Sequence, residues 1–186
     1  MEPGRTRPLV GEPLAMDLLN TRWVAGGTDH DLLDSLDGLR QWFGEIGGAD
    51  RFTADEAARE NLLLTRDALA RLADTPGDPD PEAAAVLNRV LGHGAVYRFL
   101  DGDRADAVTR FDDPAWAPAW SAAADYLDLL SAAPDRIRRC AGHACVLRFY
   151  DTSRNGTRRW CSMAGCGNRA KAARHHARER DGGTTG

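Results

Sequence analysis

All four cysteines of this 186-residue chain fall within 27 consecutive positions, in the pattern C-x4-C-x15-C-x4-C formed by Cys140, Cys145, Cys161 and Cys166. Two equally spaced pairs, joined by a segment long enough to fold back on itself, converge on one point. Four thiolates around one point are the ligand set of a structural zinc ion. A reducing compartment disfavours the two disulfides that the same residues could form. The expected cofactor is one structural Zn2+ with no open coordination position. His143, inside the first pair, could replace a cysteine, but four thiolates already complete the tetrahedron, so a loop position is expected for it. A module of about 45 residues buries too little surface to fold unaided, and the metal would supply on the order of 10 kcal/mol.

Charge divides along the chain. Residues 1–135 hold 12 Arg against 25 Asp plus Glu, a balance of −13, whereas residues 136–186 hold 12 Lys plus Arg against 3 acids, a balance of +9. A surplus of that size on the cysteine-bearing part points to an anionic partner, with double-stranded DNA ahead of a membrane surface. Single-stranded RNA is a weaker rival, suggested by Phe149, Tyr150 and Trp160 as stacking aromatics. No apolar run of about 18 residues and no continuous apolar N-terminal segment appear, so no membrane span is expected and the cytoplasm is the expected location.

Hydrophobic periodicity predicts a mainly α N-terminal domain, 1–135, with a small β-hairpin. Short-range signals set the elements. Leu14, Leu18 and Leu19 lie at helical spacing. Asp34 or Ser35 caps a helix that Gly47-Gly48 ends, and Thr53 with Glu56 spells a capping box for a helix to about Ala73. Asp80-Pro81 and Asp113-Pro114 each place an N-cap before a proline at the first helical position. Between the last two helices, VYRFL-DGDR-ADAVTRF reads as a hairpin. The second unit, 136–180, is expected to be a small α+β zinc module: a hairpin turning at Asn155-Gly156 between the cysteine pairs, then a helix. Residues 181–186 read as a disordered tail.

On that last helix Lys171, Arg174, His175 and Arg178 recur at i, i+3, i+4 and i+7, a cationic stripe that can follow a phosphate backbone. Arg154, Arg158 and Arg159 add charge near the metal, and Asn155, Asn168 and Arg169 offer side chains for base edges or phosphate. The rival reading is an interaction module whose basic face docks on the acidic domain without touching nucleic acid. G-x-S-x-G, P-loop, G-x-G-x-x-G and H-E-x-x-H patterns are absent, so catalysis is not expected.

WCSMAGCGNRAK, preceded by DTSRNGTRR, resembles the CGNR zinc finger, whose name is spelled by Cys166, Gly167, Asn168 and Arg169. LAMDLLNTR resembles the ABATE domain that precedes that finger, through Asp17, Asn20 and Thr21. The resemblance implies a bacterial transcription regulator, stress-induced, with the finger as its DNA-binding part. The N-terminal domain is then expected to sense a small-molecule effector or to pair subunits as a homodimer, with Asp17, Asn20 and Thr21 as polar groups at a pocket.

Overall fold

Apolar residues recurring along 56–74 make helix α3 (Glu56–Asp74) the axis on which the other helices pack. The computed structural model describes residues 6–74 and 80–173. Around α3 lie α1 (Leu14–Leu19), α2 (Leu36–Glu45), α4 (Pro81–Gly92) and α5 (Ala117–Ala132). Capping follows local chemistry: Ser35 Oγ accepts from the Gly38 N–H and the Asp80 carboxylate from Ala83, while Asp113 accepts from Ala115 and caps a 3-10 turn, Pro114–Trp116, that leads into α5. The capping box expected at Thr53 does not form. Asp55 accepts from the Ala58 N–H at 2.8 Å instead, and Glu56 pairs with Arg59 one turn on. The helix begins two residues later than that box requires, so Asp55, directly before its first residue, is the acceptor that reaches the third helical amide.

Three antiparallel two-stranded sheets complete the described architecture. Strands β1 (Arg22–Ala25) and β2 (Thr28–Asp31) were not foreseen; they turn on Gly26 and Gly27, at φ of +59° and +81°, the left-handed pair that a two-residue hairpin needs. The expected hairpin is β3 (Gly94–Asp101) with β4 (Arg104–Phe111), turning at Gly102-Asp103. The third differs from expectation: β5 (Ile137–Arg139) pairs with β6 (Arg148–Tyr150), so the zinc hairpin encloses the first cysteine pair rather than linking the two pairs. Asn155-Gly156 does turn, with Gly156 at φ +60° and its N–H on the Ser153 carbonyl, but no strands flank it.

One core runs through both parts. Met16, Leu18, Trp42, Leu62 and Leu69 of the helical layer belong to the same buried cluster as Ile137, Leu147, Phe149 and Cys140, Cys161 and Cys166. Among the described residues no helix is long and apolar enough to cross a membrane.

Candidate metal centre

β5 ends at Arg139 and delivers Cys140, whose N–H donates to the Leu147 carbonyl at 2.9 Å across the hairpin mouth. The chain then turns through Gly142 to Cys145, closed by the Cys145 N–H on the Gly142 carbonyl at 3.0 Å. A Cβ on Gly142 would stand 2.8 Å from Cys166 Sγ, so glycine lets this knuckle approach the second pair. Ala144 sits at φ +58°, a left-handed conformation that costs an alanine about 1 kcal/mol and sets the direction of Cys145. The second pair is shaped by Ser162, whose Oγ accepts from the Gly165 N–H at 3.0 Å, opening a π-helical turn, Met163–Gly167, that swings Cys166 inward. An α-helix continues over 168–173.

The four sulfurs lie within 4.8 Å of one another, with Cys145–Cys161 at 3.9 Å and Cys161–Cys166 at 3.5 Å. A tetrahedron with Zn–S bonds of about 2.3 Å requires S···S separations of about 3.8 Å, and a disulfide about 2.0 Å. The set fits one zinc ion and no disulfide. Gly142 and Cys161 N–H groups donate to Cys140 Sγ, and the Arg169 guanidinium donates to Cys166 Sγ at 3.0 Å. These donors offset part of the negative charge of four thiolates, the support that outer-sphere groups give a metal site. A hydrogen bond from the Cys161 thiol pulls Cys145 down to about 5, and that same bond pushes Cys161 far above its ordinary value. Burial pushes Cys166 up. His143 is exposed, and the cluster that could hold a metal consists of the four cysteines.

The residues expected on DNA divide into two groups. Arg154, Asn155, Arg159, Asn168, Arg169 and Lys171 are exposed, and Arg159 and Arg169 line one cleft beside Cys166. Arg158 is engaged internally: it donates to Glu12 at 2.9 Å, to the Cys161 carbonyl at 2.7 Å and to the Trp160 carbonyl at 3.1 Å, and lies 4.1 Å above the Phe149 ring. Arg174, His175 and Arg178 lie outside the described residues, as does the tail 181–186.

Asp17, Asn20 and Thr21 lie in the interior, at most 1% exposed, with their polar atoms spent on the protein. Asp17 accepts from Arg7, the Gly11 N–H and Trp42 Nε1. Thr21 donates to the Leu18 carbonyl and accepts from Arg66. Asn20 works at the seam: its amide donates to the Arg148 carbonyl and its oxygen accepts from the Arg148 N–H, both at 2.8 Å. Glu12 accepts from the Tyr150 N–H and Arg158, and Arg148 pairs with Asp74 at 2.6 Å.

Sequence reasoning also passed over Asp151, which is fully buried and accepts from the Ser153 and Arg158 N–H groups, shaping the loop between the cysteine pairs. Burial alone would raise its carboxyl; those hydrogen bonds and the Arg138 charge hold it below the usual range. The signal was present as Asp-Thr-Ser, a side-chain-closed turn. A cleft of about 600 Å3 lies along the seam, lined by Trp23, His30, Asp31 and Arg66 on one side and Arg139 and Arg148 on the other.

Residues 12–133 match the ABATE family, described as "Putative stress-induced transcription regulator", and residues 136–179 match the CGNR zinc finger. No curated protein matches the chain. The two matches stand in the order of the helical layer and the cysteine cluster, and the first covers more than half of the sequence: the chain belongs to the ABATE family and carries a CGNR zinc finger after its ABATE domain.

Proposed function

We propose that this protein is a non-catalytic, zinc-dependent regulator that binds duplex DNA through the exposed basic surface of its zinc module. The observation that carries the reading is the division of labour among the cations. Arg148 and Arg158 tie the module to Asp74 and Glu12, whereas Arg154, Arg159, Arg169 and Lys171 stay exposed, Arg159 and Arg169 on one cleft beside Cys166, to whose sulfur Arg169 also donates. Clustered exposed guanidinium groups suit phosphates, and Asn155 and Asn168 beside them can reach base edges. The family description supports a role in transcription.

The rival reading, docking on the acidic domain, has an observation of its own, because the module does dock there within one chain. That contact uses Arg148 and Arg158 and does not account for the exposed set. Selection of zinc-loaded protein on random duplex DNA at two salt concentrations tests the proposal. Four phosphate contacts give a salt slope of about −4, hence roughly 100-fold weaker binding between about 50 and 200 mM salt. Arg159→Ala should flatten that slope by about one unit. No binding at low salt would transfer the reading to the interaction module.

A further inference from the structure

Strands β3 and β4 form a two-stranded sheet of eight-residue strands that no third strand joins among the described residues. Its base is anchored where Phe111 meets Trp120 edge-on and Trp120 Nε1 donates to the Gly94 carbonyl. Beyond that base it reaches about 26 Å at the usual rise per residue. Val96, Tyr97, Phe99, Leu100 and Val108 are 42–74% exposed on it. An isolated hairpin of this length is marginal in water, and its long apolar edges recruit another strand.

The register shows which amides are available. Asp101 and Arg104 flank the two-residue turn, and at the other end the Asp112 N–H donates to the His93 carbonyl at 3.1 Å. Alternation between those points assigns the ladder amides of β4 to Arg104, Asp106, Val108 and Arg110. Those of Ala105, Ala107, Thr109 and Phe111 face outward, and the Ala107 N–H is turned onto the adjacent Asp106 carboxylate at 2.7 Å.

We propose that β4 pairs antiparallel with β4 of a second copy, about a two-fold axis through Val108, joining two hairpins into one four-stranded sheet. The outward amides then match in phase: Ala107 with the partner subunit's Thr109, its N–H released as the Asp106 carboxylate turns to the partner subunit's Arg110, and Ala105 with the partner subunit's Phe111. Between them Val108 meets the partner subunit's Val108, and Asp106 meets the partner subunit's Arg110, twice by symmetry. Directly opposed side chains of this kind have Cβ atoms about 4.5–5.5 Å apart, close enough for the charges to pair. Tyr97 and Val108 of both copies form one apolar row across the sheet.

Charge selects a second copy as the occupant. The hairpin carries Arg98, Arg104 and Arg110 against Asp101, Asp103 and Asp106, so it has no net charge with which to draw DNA or a strongly charged protein. Rotated onto itself, β4 is complementary to its own image. The β3 edge is not, since Arg98 and Asp101 fall on opposite faces of the sheet.

Sedimentation equilibrium of the full zinc-loaded chain over a dilution series tests this without reference to DNA. Asp106→Arg sets two arginines against each other across the axis, and Arg110→Asp sets two aspartates. Each should weaken the dimer about tenfold or more. Mixing the two single variants should restore association as a heterodimer, and the double exchange in one chain should restore the homodimer. Both side chains are exposed, so circular dichroism and zinc content should match the parent. A parent chain that stays monomeric at the highest concentration would overturn the proposal. So would a dimer that both single variants leave intact, or single variants that fail to associate on mixing.

Discussion

Replacing Arg158 by alanine should destabilise the protein by about 3 kcal/mol while leaving the exposed basic surface in place. The magnitude follows from its surroundings. Its partner Glu12 is only 9% exposed and would keep the Tyr150 N–H bond alone. Losing a partly buried charge-assisted pair costs about 1–2 kcal/mol after solvent screening, because Arg158 itself is about a quarter exposed. Two carbonyls, those of Trp160 and Cys161, lose a charged donor, which adds about 1 kcal/mol after water replaces part of it. The guanidinium over Phe149 adds about 0.5–1 kcal/mol. For a chain of this length about 3 kcal/mol lowers the melting temperature by roughly 6–12 °C.

Differential scanning calorimetry of zinc-loaded Arg158→Ala, beside Arg159→Ala, measures this. Arg159 is exposed and stacks on Trp160 at 5.2 Å, so its loss should stay within about 0.5 kcal/mol. Under the proposed function the two variants separate: Arg159→Ala loses DNA affinity and keeps stability, whereas Arg158→Ala loses stability and keeps the salt slope below its melting point. An Arg158→Ala protein that melts with the parent but binds DNA with a flatter salt slope would refute the argument.

Two further outcomes follow from the same structure. Stripping zinc with a chelator should lower a single thermal transition by more than about 10 °C, since a structural site contributes on the order of 10 kcal/mol and the cysteines share one core with the helices; two transitions, of which one stays put, would contradict this. Asp31 is raised by burial but brought below its ordinary value by Arg66 and Arg22, so its contribution is present above about pH 4 and lost as pH falls through the lower folded value. Urea denaturation of Asp31→Asn should show a deficit of about 2–4 kcal/mol at neutral pH that narrows in acid, because Arg66 is left buried without its carboxylate, keeping its bond to Thr21; a deficit constant with pH would refute it.

What was legible in the sequence was what short-range chemistry decides. Asp80-Pro81 and Ser35 cap their helices, and Asp113-Pro114 caps the single 3-10 turn Pro114–Trp116 that leads into α5, because an N-cap needs a partner only two or three residues on. The cysteine spacing gave the metal site because the ligand set is written in the residues themselves. The zinc hairpin was misplaced because Asn155-Gly156 is a genuine turn, whereas the partner of Arg148–Tyr150 is fixed at Ile137–Arg139 by closure of the Cys140–Cys145 knuckle. β1 and β2 are four residues each, too short to show alternation, and Gly26-Gly27 was their signal. Asn20 finds its partner 128 residues away, a distance at which residue type says nothing about role.

The seam decides how such a protein can be controlled. Asn20 gives Arg148 the two backbone bonds that a neighbouring strand would give, Asp74 at the end of α3 takes the same residue's guanidinium, and Glu12 holds Tyr150 and Arg158. Swinging the zinc module away would also expose Leu147 and Phe149, each now at most 3% exposed. At about 1.5–3 kcal/mol per buried side chain, those two alone oppose release by about 3–6 kcal/mol. The released form is then on the order of one molecule in a thousand before any hydrogen bond is counted. A finger held this firmly is presented to its partner rather than freed for it. In the proposed dimer, control then falls to whatever sets the distance and angle between the two protomers, and the sheet shared through β4 is an element able to set both.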